Sequence, residues 1–308
     1  MSSLPIYCGV DFAKEKFNHH GLPRPGSLPN TPAGHRRFLA MLPSGAHLVC
    51  ESTGSCHRAL VAAAQRVGVA VTVANPQQVR ALAEGLGRRA KTDPLDAQSL
   101  HDFGRLVAPQ ADLAPSAAQA ALRELVVARQ QLVLARSTLQ LQSADHQLPL
   151  VKALARAQLK LLCAQIAKLE AAITKTLAAE SALAAQAARL AEVRGVGALT
   201  AATALALCPE LGTLSRAQAA ALLGVAPFNH DSGQLKGSRH IAGGRYRLRC
   251  AIYMAALSAA RANPILRSFY QRLRAAGKPA KLALTAVMRK LFILLNHLLK
   301  NPHFQLAA

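Results

Sequence analysis

Apolar residues are grouped in two ways along this chain. Near the N-terminus they form short unbroken runs: IYCGVD at 6–11, AHLVCE at 46–51 and VAVTVA at 69–74. Runs of this length, bounded by polar or turn residues, predict buried β-strands, and Asn75-Pro76 ends the third. Between the second and third, CHRALVAAAQRVG has helical apolar spacing and closes on Gly68, which predicts a helix. Strand, helix, strand is the grammar of an α/β domain. Residues 18–32, NHHGLPRPGSLPNTP, lack alternation and predict a loop or an irregular hairpin.

After about Asp112 the pattern changes. Residues 115–190 hold no glycine, and apolar residues recur at three and four: Leu122, Leu125, Leu132 and Leu139, then Leu159, Leu162, Ile166, Leu169 and Ile173. This predicts an antiparallel helical pair broken near Leu148-Pro149, serving as an interaction arm or as part of an ordinary bundle. Gly195-Val196-Gly197 between helical stretches resembles the turn of a helix-hairpin-helix, whose backbone N–H groups meet phosphate. A Gly- and Arg-rich loop at 225–249 precedes three predicted helices, at about 248–261, 264–275 and 279–300. Asn263-Pro264 forms an N-cap and N1 pair for the second.

Charge gives this outline a partner. The 308 residues carry 37 Lys and Arg against 15 Asp and Glu, a formal net charge of +22. From Leu211 onward 15 Lys and Arg face a single carboxylate, Asp231. Such an imbalance is the footprint of a polyanion, because basic surface releases counterions condensed on phosphates. An anionic membrane would call for a basic amphipathic helix beside an anchor. The longest apolar run, LFILLNHLL, is too short to span a bilayer, and no secretory signal is visible, so a cytoplasmic, nucleoid-associated protein is expected. The six cysteines form no CxxC pair and are expected to be reduced and mostly buried.

The scarce carboxylates raise a second possibility. Asp11 and Glu51 end predicted strands, and a carboxylate at the end of a buried strand is costly unless it is paired or bound to a cation. Asp93 and Asp96, in GRRAKTDPLDAQSL, have the spacing that puts two side chains on one helix face. That pair also reads as helix punctuation, with Asp93 as N-cap, Pro94 at N1 and Asp96 in the first turn. Taken together, the four suit two Mg²⁺ ions acting on a phosphodiester.

The ordered motifs GVDFAKEKF, CESTGS, VANPQQVRALAEGLGRRAKTDPLDAQSL and LGVAPFNHDSGQLKGSRHIAGGRYRLRCAIYMAA resemble the transposases of insertion sequence one-ten and its eleven-eleven subgroup, over nearly the whole chain. The resemblance implies an α/β RNase H-like (RuvC-like) catalytic domain at 1–112, a helical coiled-coil connector at 113–190 and a mostly α-helical transposase domain at 191–308. It implies a metal-binding DEDD set of Asp11, Glu51, Asp93 and Asp96, and a serine nucleophile, Ser232, in HDSGQLKG. It also implies recombination of donor and target DNA directed by a noncoding bridge RNA encoded by the element.

A serine attacking DNA phosphate conserves the phosphodiester energy as phosphoserine, so rejoining needs no ATP. Serine is a poor nucleophile by itself, and metal held by the distant carboxylates lowers that barrier if the two domains form a composite site. Ser232 also fits as a turn residue before Gly233, and Ser238 in KGSRH is the competing serine. Lys236, Arg239, Arg245 and Arg249 are candidates to steady the phosphoryl charge. With Arg247, Lys281, Arg289 and Lys290 they form the candidate nucleic-acid-binding set. Strand exchange between two duplexes calls for a homodimer or a dimer of dimers. Two other readings stand beside this one: a RuvC-type junction nuclease using water as nucleophile, and a non-catalytic nucleic-acid-binding protein.

Overall fold

The computed structural model describes residues 6–52, 54–88, 92–229, 231–233, 235–237 and 239–306, residues 235 and 236 by backbone alone. It divides into two compact units, Met1–Ala114 and Pro115–Ala308. The first unit runs β1 (Ile6–Phe12), β2 (Lys16–His20), β3 (Gly26–Pro29), α1 (Pro32–Met41), β4 (Ala46–Glu51), α2 (Arg58–Arg66), β5 (Ala70–Ala74), α3 (Pro76–Gly85) and α4 (Asp93–Val107). Its strands make one five-stranded sheet among the described residues, in the order β3-β2-β1-β4-β5. β1, β4 and β5 are parallel, while β2 runs antiparallel to β1 and β3 antiparallel to β2.

Alternation along β1 builds both faces of this sheet. Cys8, Val10 and Phe12 enter one core with Phe38 of α1 and with Leu60 and Ala64 of α2. Tyr7 joins Val49, Ala74, Val79, Leu100 and Phe103 in another, under α3 and α4. Gly9 lies on this second face between Tyr7 and Asp11. A Cβ there would meet the Ala97 carbonyl oxygen at 2.2 Å and the His101 nitrogen at 2.3 Å, so α4 rests directly on the strand backbone.

Three expectations are corrected in detail. Residues 18–32 hold most of a regular hairpin, β2 and β3, because the prolines fall in its turn (Pro23, Pro25) or at the end of the edge strand (Pro29), where no ladder N–H is required. Asp93 is the first helical residue of α4, and Thr92 holds the N-cap position. Of the cysteines, Cys8, Cys50 and Cys208 are buried, but Cys163 and Cys250 are exposed.

The second unit is helical: α5 (Ala117–Ser143), α6 (Pro149–Ala178), α7 (Ser181–Ala191), α8 (Ala198–Leu207) and α9 (Arg216–Leu223). Four two-residue strands follow, β6 (Pro227–Phe228), β7 (Asp231–Ser232), β8 (Leu235–Lys236) and β9 (His240–Ile241). Then come α10 (Tyr246–Ala262), α11 (Pro264–Ala275) and α12 (Ala280–Lys300). Asn263 caps α11 by accepting from the N–H groups of Ile265 and Leu266, both at 3.1 Å. α5 and α6 are antiparallel, since Ser116 meets Glu180 and Arg129 meets Glu170. Leu122, Val126 and Ile173 from this pair share one core with Leu205, Leu248, Ile252, Leu291 and Phe292.

Although α12 is long and apolar enough to cross a bilayer, its apolar face is used in this core. Asn296, 5 % exposed, ties α12 to the loop before α9 by accepting from Gly212 N–H (2.9 Å) and donating to the Leu214 carbonyl (2.8 Å). Gly195 adopts φ +101°, and a Cβ there would lie 2.5 Å from the Ala259 backbone. Close packing against α10 accounts for that residue without phosphate.

Candidate active site

Parallel register brings the first two carboxylates together. Val10 of β1 is opposite Cys50 of β4, so the next pair along is Asp11 and Glu51, on the face covered by α3 and α4. α4 starts at Asp93, and the approach allowed by Gly9 sets its first turn, with Asp93 and Asp96, over the end of β1. The electrostatics reflect this convergence. Burial, and then the charges of Asp96, Glu51 and Asp93, push the Asp11 carboxyl up to about 6, against a hydrogen bond from the Phe12 backbone. All four residues thus act on one point.

Among the described residues no three His, Cys, Asp or Glu side chains are drawn tightly enough to hold a metal ion. Mutual repulsion keeps carboxylates apart, and Asp93 lies 3.9 Å from the Lys16 ammonium. The donor set is all oxygen, the chemistry of hard divalent cations, and the Asp11 carboxyl is raised by burial first and by its three carboxylate neighbours second. In donor type, though not in spacing, the residues fit a divalent ion. A shallow cleft of about 560 Å³ lined by Ala13, Lys14, Glu15, Lys16, Ser27, Leu28 and Pro29 lies beside this corner.

Ser232 belongs to the second unit. It is exposed on β7 and pairs with Leu235 of β8, next to Gly233 at φ +56°. Asp231 braces this hairpin by accepting from Gly237 N–H (3.1 Å) and from Arg239 (3.0 Å), whose Nε also donates to Asn229 (2.8 Å). Ser238 and the side chain of Lys236 lie outside the described residues.

The stem beneath is held by glycines and arginines that sequence reasoning assigned to phosphate or passed over. A Cβ on Gly224 would meet the Gly243 carbonyl oxygen at 2.3 Å, and one on Gly244 would meet Gly224 N at 2.2 Å, so the two loops cross in contact. Arg245 donates to both Glu210 oxygens (2.7 and 2.5 Å) and to the Leu207 carbonyl (2.9 Å). Burial alone would raise the Glu210 carboxyl, but Arg245 holds it below its ordinary value. Arg249 donates to the Gly243 carbonyl (2.5 Å) and lies over the Tyr246 ring. These two arginines build the scaffold. Arg247, Lys281 and Arg289 are exposed, as is Lys290, whose ammonium lies 4.0 Å from the Phe269 ring centroid.

Comparison with known proteins agrees with this arrangement. The family described as Transposase IS116/IS110/IS902 matches residues 187–271, and a DEDD transposase family of the IS110 type matches residues 8–151. The pilin gene-inverting proteins of Moraxella lacunata and Moraxella bovis are each 26% identical over 299 residues, covering 92% of this chain and 92% of their own. An RNase H-like unit bearing two carboxylates on its sheet and two on the helix over it, joined in one chain to a helical transposase unit, defines a DNA transposase or recombinase. The chain belongs to the IS110 family of transposases. DEDD domains of this kind are typically divalent-metal dependent.

Proposed function

We propose that this chain is a Mg²⁺-dependent, RNA-guided recombinase that excises, inserts or inverts DNA through a covalent phosphoserine intermediate. The observation that carries the reading is the register that puts Asp11 beside Glu51 under the first turn of α4; burial first, and then the charges of Asp96, Glu51 and Asp93, raise the Asp11 carboxyl, and a divalent cation would offset that charge. When bound, the metal supplies Lewis-acid activation and stabilises the oxygens of an in-line displacement. Asp11, Glu51, Asp93 and Asp96 would hold it.

Ser232 Oγ attacks a DNA phosphorus. The Oγ–P bond forms as a backbone P–O bond breaks, the serine hydroxyl gives up its proton, and the departing strand's oxygen takes up a proton to become a hydroxyl. Attack by a strand hydroxyl on the phosphoserine reverses the exchange and restores the serine. The exposed hairpin and its Asp231–Arg239 brace support this assignment by presenting a short, fixed side chain. The resemblance to the insertion sequence one-ten transposases supplies the bridge RNA, and the Moraxella pilin gene-inverting relatives support inversion. Residues 113–190 act as a coiled-coil connector and as the contact between copies in a dimer or dimer of dimers.

The test is expression with the flanking DNA of the element, sequencing of the RNA that co-purifies, and incubation of the complex with element DNA and Mg²⁺. A protein–DNA adduct should form, vanish in Ser232→Ala and be absent in Asp11→Asn, which still binds nucleic acid. An adduct that survives Ser232→Ala moves the nucleophile elsewhere, full activity in Asp11→Asn removes the metal site, and only heterogeneous cellular RNA removes the guide.

A further inference from the structure

An apolar groove of about 440 Å³ opens on the second unit. It is lined by Val225, Ile241, Arg249, Cys250, Tyr253, Met254, Thr285 and Met288. Arg249, Cys250, Tyr253 and Met254 are successive positions on one face of α10, and Thr285 and Met288 face them from α12. Met254 is 62% exposed and Ile241 45%, so apolar side chains of this groove stand together in solvent. Ile241 belongs to β9, which pairs with β6 in the stem of the hairpin that carries Ser232.

The rim gives this groove its chemistry. Lys281, Thr285 and Arg289 fall at four-residue intervals on α12, so they form one line along the helix with the groove-lining threonine between two exposed cations. Each cation stands about 6 Å along the axis from Thr285. A flat apolar slot with an aromatic side chain and a soft thioether, flanked by positive charges, is complementary to one nucleotide unit with its ring inside and its phosphates outside. A duplex keeps its bases stacked and cannot enter. A neutral peptide would give no work to the paired cations, whereas a DNA strand, the substrate of this family, supplies both a ring and phosphates.

We propose that this groove receives one unstacked base of single-stranded DNA, with Tyr253 and Met254 against the ring and Lys281 and Arg289 on the adjoining phosphates. The proposal rests on DNA being the substrate. It implies that the strand handled by the Ser232 hairpin is anchored at the hairpin's stem by a displaced base.

Binding of the full chain to a fluorescein-labelled thymidine 15-mer, to its duplex and to the matching uridine 15-mer, all in EDTA, tests it. Tyr253→Ala should weaken single-stranded DNA binding about tenfold and duplex binding less than about twofold, with Tyr253→Phe close to the parent protein. A strand carrying 2-aminopurine should be quenched by the parent and left bright by Tyr253→Ala. Should Tyr253→Ala fail to fold, Met254→Asp places a charge in the same groove from an exposed position and should give the same selective loss. Equal losses on single strand and duplex, no quenching, or tighter binding of the uridine strand would overturn the proposal. Because the chelator stops chemistry, failure of adduct formation would leave this readout intact, and the reverse also holds.

Discussion

Asp11 is held in a position that disfavours its own charge. Its carboxyl stands at about 6 against an ordinary value of 3.8. Below about pH 4 it is protonated whether folded or not, and the charge costs nothing. Between there and about pH 6 the unfolded chain ionises first, so the penalty grows, and above about pH 6 it is fully present. Asp11→Asn should therefore stabilise the metal-free protein at pH 7.5 by something on the order of 1 kcal/mol, discounted because solvent still reaches the group, and the gain should disappear near about pH 4. Urea denaturation in EDTA at the two pH values measures it, and an equal gain at both would refute the electrostatic cause. Asp11 and Glu51 were legible in the sequence because each closes a short apolar run. The role of Arg245 was not, since its partner Glu210 lies 35 residues away and a basic motif reads alike whether it faces solvent or a carboxylate.

At the scale of elements the same limit appears. The segment read as a loop or an irregular hairpin forms the regular hairpin of β2 and β3, because its prolines sit where a strand edge tolerates them, a fact visible only once the neighbours of each strand are known. The helical pair was legible from its spacing, and Leu122, Leu162, Ile166 and Ile173 are buried as that spacing requires. Sequence periodicity pointed to this inner seam and passed over a second set: Leu134, Leu141, Leu148, Leu154 and Leu161 are between 57% and 77% exposed toward the α5–α6 turn. Leu134 and Leu141 on α5 are seven apart, as are Leu154 and Leu161 on α6, which is the spacing of a helix that meets another helix. The double change Leu134→Asp and Leu141→Asp should lower the molecular mass in light scattering while leaving the helical circular dichroism unchanged. Changing the inner Leu122 should instead cost about 2–5 kcal/mol of stability. A mass unaffected by the outer pair would reject this face as the contact between copies.

For the whole molecule, the +22 charge is less available to DNA than a count of basic residues suggests. Arg245 is committed to Glu210, Arg249 to the Gly243 carbonyl and Arg239 to Asp231, so part of the C-terminal basic run serves the fold. Arg247, Lys281 and Arg289 are exposed and remain for phosphate. The two groups separate in the salt dependence of single-stranded DNA binding, because each phosphate contact adds about 0.7 to the slope of log affinity against log salt. Arg289→Ala and Arg247→Ala should each lower that slope by about that amount while changing folding stability by less than about 0.5 kcal/mol. Arg245→Ala should cost about 1–3 kcal/mol of stability, since it leaves the half-buried Glu210 without its partner, and should leave the slope unchanged in molecules that remain folded. If Arg245→Ala instead lowered the slope and spared stability, the Glu210 pair would be incidental. The glycine and arginine motif from Leu223 to Arg249 would then be a phosphate-binding loop rather than the frame that holds the Ser232 hairpin in place.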